Sequence, residues 1–201
     1  MADLQRIFDS CKKAYEECYV TIAGMGDWLR ERMDSGKKEK VNSKLLCKNF
    51  DIVLQFSLLQ IAVADNELDP KEVIFIRDLT FDGDLFEYLN SFVESKAKVD
   101  WKTAYNCSVS VLKELLETVE PLVKSLSVDL VTVFAVCDAS TVHNYVSDLK
   151  TFVMAIINGL GKMDGDFSYL EQHADCLIIR VISEIENRKE KLKIQFPEKF
   201  H

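Results

Sequence analysis

Two segments of the chain, 99 residues apart, carry the same acidic pattern, and this duplication constrains the fold more than any other feature. The segments are residues 64–72 (ADNELDPKE) and 163–171 (MDGDFSYLE). Within each, an Asp is followed by any residue, an acid, an apolar residue, Asp or Ser, two further residues and a Glu. Each segment also follows an apolar run of helical character and opens another helical pattern. The chain therefore predicts two helix–acidic loop–helix units, related by a pseudo-twofold axis.

Part of each acidic segment is explained by helix capping. Asp69 and Ser168 are expected N-caps, because a short side-chain oxygen can accept a hydrogen bond from an unpaired backbone N–H. Pro70 suits the first helical position, where its missing N–H does no harm. Glu72 and Glu171 stand three residues after the caps and complete two capping boxes. Capping alone explains these residues without any ligand.

Capping leaves the remaining acids of the two segments unexplained. Several carboxylates within eight residues repel one another unless solvent, a helix N-terminus or a cation offsets their charge. Hard cations such as calcium bind oxygen ligands, often from loops with acids at alternate positions, although this spacing is not that of an EF-hand. The candidate metal ligands are Asp65, Glu67, Asp69, Glu72, Asp164, Asp166 and Glu171. Calcium or magnesium is expected rather than zinc; the alternative is two capped turns that bind no ion.

Composition excludes several classes of function and predicts a cytoplasmic location. The formal net charge of −8 argues against binding to a nucleic-acid backbone and suits cations or a basic protein surface. The six cysteines form no Cys-x-x-Cys pair and only three histidines accompany them, which argues against a zinc site. Such scattered cysteines are typical of a reducing compartment. No signal peptide is apparent and no apolar run reaches about 18 residues, so no membrane span is expected.

Hydrophobic periodicity predicts an all-α fold, with residues 1–40 as an N-terminal amphipathic helix and linker and residues 41–201 as the main domain. The first helix is expected over residues 3–23, with Gly24 and Gly26 breaking its pattern. The further predicted helices cover residues 43–64, 70–80, 85–97, 101–118, 122–137 (after Pro121), 142–162 and 169–193.

Residues 58–72 (LLQIAVADNELDPKE) resemble the signature of the TerB-like family of tellurite-resistance proteins. That signature is an apolar helix ending in Ala-Asp-Gly, then an apolar residue, a capping residue and a downstream Glu. Residues 162–171 resemble the second copy and keep, as Gly165, the glycine that Asn66 replaces in the first. The resemblance covers residues 43–190.

The resemblance implies an all-helical, pseudo-twofold fold and a role in bacterial stress and tellurite-response complexes near the inner membrane. It also implies metal binding by acidic surface residues, which by position are the seven acids named above. Ser168 replaces an acid in the second copy, so the two loops are not expected to bind a metal ion with equal affinity. No enzymatic activity is implied.

The sequence is compatible with three functions. The leading interpretation is a non-enzymatic cytosolic module in which a divalent cation, bound by the two loops, biases contacts with a partner protein; any membrane association would run through a membrane-protein partner. The alternative is a purely structural protein–protein interaction domain whose acids are helix caps. A metal-dependent hydrolase is the third, but it needs an open coordination position and a placed base. His143 and His173 show no ligand spacing for it. The oligomeric state stays open.

Overall fold

Helices supply all the regular secondary structure in the part of the chain that the structure describes. The structure is a computed structural model that describes residues 2–32, 42–92, 99–163 and 175–195. Its helices are α1 (Ala2–Arg32), α2 (Ser43–Ala62), α3 (Pro70–Leu79), α4 (Leu85–Asn90), α5 (Trp101–Asn106), α6 (Val109–Ser140), α7 (Tyr145–Leu160) and α8 (Leu177–Gln195). The predicted all-α class is confirmed for these residues.

The first helix is longer than predicted and runs without a break through Gly24 and Gly26. One of its faces is buried against α2 and α7, with Tyr15 and Cys18 fully inaccessible to solvent. This packing outweighs the cost of a glycine in a helix interior, about 0.5–1 kcal/mol relative to alanine. The predicted break at the glycines was therefore wrong. The division of the chain at residue 40 stays a prediction.

The central element is α2, which contacts α1, α3, α4, α6, α7 and α8. Most of its side chains are buried, as its nearly continuous apolar sequence predicts. Asn42 caps it by accepting a hydrogen bond from the N–H of Leu45. Among the described helices, α2 alone has the length and apolar composition of a membrane span, but 83% of that stretch is buried inside the fold. A core helix passes the same test, so this is weak evidence for a membrane.

The helix boundaries around Pro121 differ from those predicted. The periodic stretch that begins at Trp101 is divided at Cys107 and Ser108, and α6 then continues through Pro121 to Ser140. Pro121 lies on an exposed face, where water can satisfy the carbonyl that loses its helical partner. The opposite face, including Val119 and Val123, is buried in the core. The prediction that Pro121 starts a new helix was wrong because this packing outweighs the cost of the proline.

The last described helix, α8, begins at Leu177, and the two residues before it are not helical. A continuous helix over 169–193 was therefore a wrong prediction. The first turn of α8 is capped from α2: the amide oxygen of Gln60 accepts from the N–H of Leu177, and Ser57 Oγ accepts from that of Ile178. At the repeat offset of 99, the two residues before α8 correspond to residues 76 and 77, which lie inside α3, so the second unit differs here from the first. The pseudo-twofold arrangement stays a prediction.

Another element, α4, ends earlier than predicted. Its last residue is Asn90 rather than residue 97, and a turn follows at Ser91. Asp84 caps α4 by accepting a hydrogen bond from the N–H of Glu87. The other carboxylate oxygen of Asp84 accepts from the indole N–H of Trp101, which ties the start of α4 to α5.

Candidate functional site

The first acidic loop connects α2 to α3 and turns sharply at Asn66. Asn66 has a φ of 71°, in the left-handed region that asparagine adopts more readily than most residues. Next to it, the carboxylate of Asp65 accepts a hydrogen bond from the N–H of Glu67 at 2.9 Å. This short-range bond closes the turn, so Asp65 has a structural use within the loop.

The predicted capping box at the start of α3 is confirmed. Asp69 Oδ1 accepts a hydrogen bond from the N–H of Lys71 at 2.7 Å, and Glu72 Oε2 accepts from the N–H of Asp69 at 3.0 Å. Pro70 occupies the first turn, and Glu72 is buried, with 2% of its surface exposed. Two of the acids proposed as metal ligands thus hold the first turn of a helix in place.

A cation from elsewhere in the chain lies against this loop. The ammonium of Lys113, on α6, donates to Asn66 Oδ1 at 2.7 Å and to the carbonyl oxygen of Ala64 at 3.3 Å. Both acceptors are neutral oxygens, and Lys113 is half-buried. The loop therefore accepts a positive charge that the protein itself supplies.

The structure does not bring the four acids of the first loop together. Asp65 and Asp69 are half-exposed and Glu67 is exposed, whereas Glu72 is buried. Within the described ranges, no group of three or more His, Cys, Asp or Glu side chains is placed to hold a metal ion. The remaining candidates of the second loop, Asp164, Asp166 and Glu171, and the expected cap Ser168, lie outside the described residues, where their role stays a prediction.

A buried aspartate that the sequence analysis passed over organises the turn between α3 and α4. Asp51, in the middle of α2, is 0% exposed; its Oδ2 accepts from the N–H groups of Asp82 and Gly83, both at 2.9 Å. Its Oδ1 accepts from the hydroxyl of Tyr15 at 2.9 Å, which in turn accepts from the N–H of Phe81. Burial raises the pKa of Asp51, and the three donors oppose that shift. A lone acid within the apolar run of α2 was the signal that could have found it.

The same turn is fastened by a second polar side chain of α2 and by two residues of α1. Gln55 donates to Thr80 Oγ1 and accepts from the N–H of Leu85. From α1, the hydroxyl of Tyr19 donates to Asp82, and Lys12 donates to the carbonyl oxygen of Leu79. The polar groups of this cluster form hydrogen bonds that hold the turn in place, so the role of the cluster is structural.

A groove in the described part of the chain separates the N-terminal half of α1 from α3. Its volume is about 420 Å³, and it is lined by Leu4, Gln5, Phe8, Lys71, Ile74, Phe75, Asp78 and Met163. The α3 residues recur at the spacing of one helical face. Because the capping box fixes the start of α3, the acids of the first loop determine how this face meets α1.

Comparisons of the chain with protein-family models, with curated proteins and with solved structures gave no significant match. Membership of the TerB-like family, expected from residues 58–72, therefore stays a prediction.

Proposed function

We propose that the chain is a non-enzymatic, cytoplasmic helical module that binds another protein, and that the groove between α1 and α3 is its binding surface. The observation that carries this proposal is the apolar lining of that groove. Phe8 and Ile74 are partly exposed there, and Ile74 leaves 47% of its surface in contact with solvent. An exposed apolar groove with a charged rim is a common feature of protein interaction sites.

The shape of the groove suits an amphipathic helix. A partner helix places apolar side chains at every third and fourth position, and a groove between two packed helices receives such a row. The net charge of −8 favours a basic partner through long-range attraction. At the rim, Asp78 supplies a half-exposed carboxylate, although Arg77 pairs with it and Lys71 adds a positive charge.

In this proposal the acids of the first loop have a structural task. The reciprocal bonds between Asp69 and Glu72 fix the first turn of α3, and that turn carries Lys71 into the groove.

The proposed cytoplasmic location is supported by the cysteines. The free thiols of all six cysteines are in keeping with a reducing compartment.

Binding of a helical peptide to matched variants tests the proposal. A synthetic amphipathic helix of leucine and lysine, labelled for fluorescence anisotropy, is titrated with the native protein, with Ile74→Asp and with Val128→Asp. Val128 is 57% exposed on α6 and does not line the groove, so it is a matched control. We expect Ile74→Asp to weaken binding about tenfold or more, because it places a charge where apolar surface is buried. Equal loss with Val128→Asp, or equal binding of a scrambled peptide, would overturn the proposal.

A second candidate is the TerB-like, cation-responsive module, in a stress or tellurite-response assembly. The observation that favours it is the contact with Lys113, because the loop directs the oxygens of Ala64 and Asn66 towards a positive charge. The second loop repeats three of the four acids, with Ser168 in place of Asp69, and has Gly165 in place of Asn66, so it lacks that amide oxygen. Because Lys113 already supplies a positive charge to the first loop, we propose that an external calcium or magnesium ion binds the second loop in preference to the first.

Melting temperatures measured with EDTA and with calcium, magnesium, manganese or zinc distinguish the two candidates. A ligand that binds only the folded state raises its stability by mass action. A rise with one ion that is lost in Asp164→Asn but kept in Asp65→Asn would support a cation site in the second loop. The same melting temperature with every ion would remove the cation-responsive candidate and leave the groove proposal untouched.

A further inference from the structure

A second cavity lies on the opposite side of α1 from α2, between α1, α6 and α7. Its volume is about 340 Å³, within the range of about 300–1,000 Å³ typical of small-ligand sites. Most of its lining is apolar or aromatic and includes Val20, Met25, Trp28, Cys137 and Tyr145. Trp28 and Tyr145 are half-buried, and both line the cavity.

Gly24, at the mouth of this cavity, has no packing reason to be a glycine. A Cβ built at Gly24 would have no neighbouring atom within 4 Å, whereas one at Gly26 would lie 2.7 Å from Ser43 Oγ. A glycine inside a helix is destabilising relative to alanine, because it loses more backbone freedom on folding. The glycine at position 24 allows no closer contact between helices, but its lack of a side chain leaves the mouth of the cavity open.

A positive charge lies next to Trp28, one of the residues that line the cavity. The guanidinium of Arg32 lies over the ring of Trp28, 4.1 Å from its centre, and donates to the carbonyl oxygen of Trp28 at 3.1 Å. These two contacts orient it, and its ion pair with Glu31 is loose, at 4.0 Å. Nearby, burial raises the pKa of the Cys137 thiol to about 12, which keeps that wall neutral.

We propose that this cavity binds a small aromatic carboxylate, with its ring against Trp28 and Tyr145 and its carboxylate towards Arg32. The aromatic walls suit a flat apolar body, because ring pairs add to the free energy of burial. Arg32 suits a carboxylate, whose two oxygens match the planar fork of a guanidinium. The site is independent of the groove between α1 and α3, so either proposal can fail without the other.

Fluorine NMR of two matched probes, fluorobenzoate and fluorobenzamide, tests this site. The native protein should broaden and shift the signal of fluorobenzoate much more than that of the neutral amide. Gly24→Leu should weaken fluorobenzoate binding about tenfold or more, because the new side chain fills the mouth of the cavity. Arg32→Gln should weaken it about fivefold and leave the amide unchanged.

The folding control is contained in the same variants. Gly24→Leu replaces a glycine inside a helix where there is room for a side chain, so its melting temperature should equal or exceed that of the native protein. Trp28 fluorescence provides a second readout in a Trp101→Phe background, since Trp101 packs on Phe86, outside the cavity. Unchanged binding in a folded Gly24→Leu variant, equal binding of the two probes, or no binding of either, would overturn the proposal.

Discussion

The ammonium nitrogen of Lys113 lies 2.7 Å from the side-chain oxygen Oδ1 of Asn66, so that α6 holds the loop that leads into α3. The same ammonium reaches the carbonyl oxygen of Ala64, just beyond the end of α2. One cation therefore links α6 to the connection between α2 and α3. A loop with several carboxylates gains from such a link, because a nearby positive charge offsets their mutual repulsion.

Substitution of Lys113 by methionine should destabilise the fold by about 1 kcal/mol. Hydrogen bonds from a charged donor are worth about 1.5–3 kcal/mol, and the exposure of Asn66 reduces that value here. Urea unfolding of Lys113→Met measures the loss. Lys124→Met is the matched control, because the exposed ammonium of Lys124 on the same helix makes no hydrogen bond or ion pair to the described residues. Equal losses in the two variants would contradict the proposed role of Lys113.

Two substitutions at Asn66 should separate its backbone role from its side-chain role. Asn66→Gly keeps the positive φ without strain and loses only the contact with Lys113, so we expect a cost of about 1 kcal/mol or less. Asn66→Ala loses the contact and also strains the left-handed backbone, which adds about 1–2 kcal/mol. In a Lys113→Met background, Asn66→Gly should cost almost nothing. A persistent cost there would show that the amide has another partner.

The start of α3 was predictable because its contacts are local. Asp69 and Glu72 are three residues apart, and their reciprocal bonds depend only on the geometry of a helix start. The contact between Lys113 and Asn66 joins residues 47 apart, and no pattern within either segment indicates it. Asp51 is similar, because its donors come from α1 and from the turn after α3. The sequence therefore shows where such an acid stands but not which groups it binds.

The errors in the predicted helix boundaries have a common physical cause. Gly24, Gly26 and Pro121 all lower helix propensity, and each lies inside a helix that buries one face in the core. Propensity is a weak guide where tertiary packing opposes it. The start of α8 has the converse cause, because its first N–H groups are satisfied by Gln60 and Ser57 of α2. A cap from a distant helix leaves no local signal.

Gly159→Ala should destabilise the fold by about 1–3 kcal/mol, a typical cost of overpacking. A Cβ at Gly159 would lie 2.0 Å from Cys11 Sγ, so either the Cys11 side chain would have to rotate or α1 would have to move away from α7. Thermal or urea unfolding measures the effect. Cys11→Ala removes the opposing sulfur, so the double variant Gly159→Ala/Cys11→Ala should be more stable than Gly159→Ala alone.

Gly24→Ala is the matched control for that substitution. The new Cβ at Gly24 meets no atom within 4 Å, and alanine has the higher helix propensity, so stability should rise by about 0.5–1 kcal/mol. The two glycine-to-alanine changes should thus have opposite signs. Destabilisation by both would mean that helix propensity and close packing do not distinguish the two positions.

The buried carboxyl group of Asp51 should make stability depend on pH in an unusual direction. Burial raises its pKa in the folded state above the ordinary value of 3.8, so the folded protein keeps this proton to a higher pH than the unfolded chain does. The contribution of the group to stability is therefore fully present below that ordinary value and is lost as the pH rises through the folded pKa. Most carboxylates behave in the opposite way, since hydrogen bonds or ion pairs lower their pKa.

Comparison of the native protein with Asp51→Asn isolates this effect, because the other titrating groups are common to both. The amide introduced by this substitution would turn an N–H group towards one of the donors from Tyr15, Asp82 and Gly83, so the variant should be less stable at every pH. The stability advantage of the native protein should shrink as the pH rises above 3.8, because the unfolded native chain releases this proton at a lower pH than the folded protein does, whereas asparagine releases none. Urea unfolding at several pH values measures that difference. An advantage that grows with pH would mean that the three donors outweigh burial and that the pKa of Asp51 is lowered.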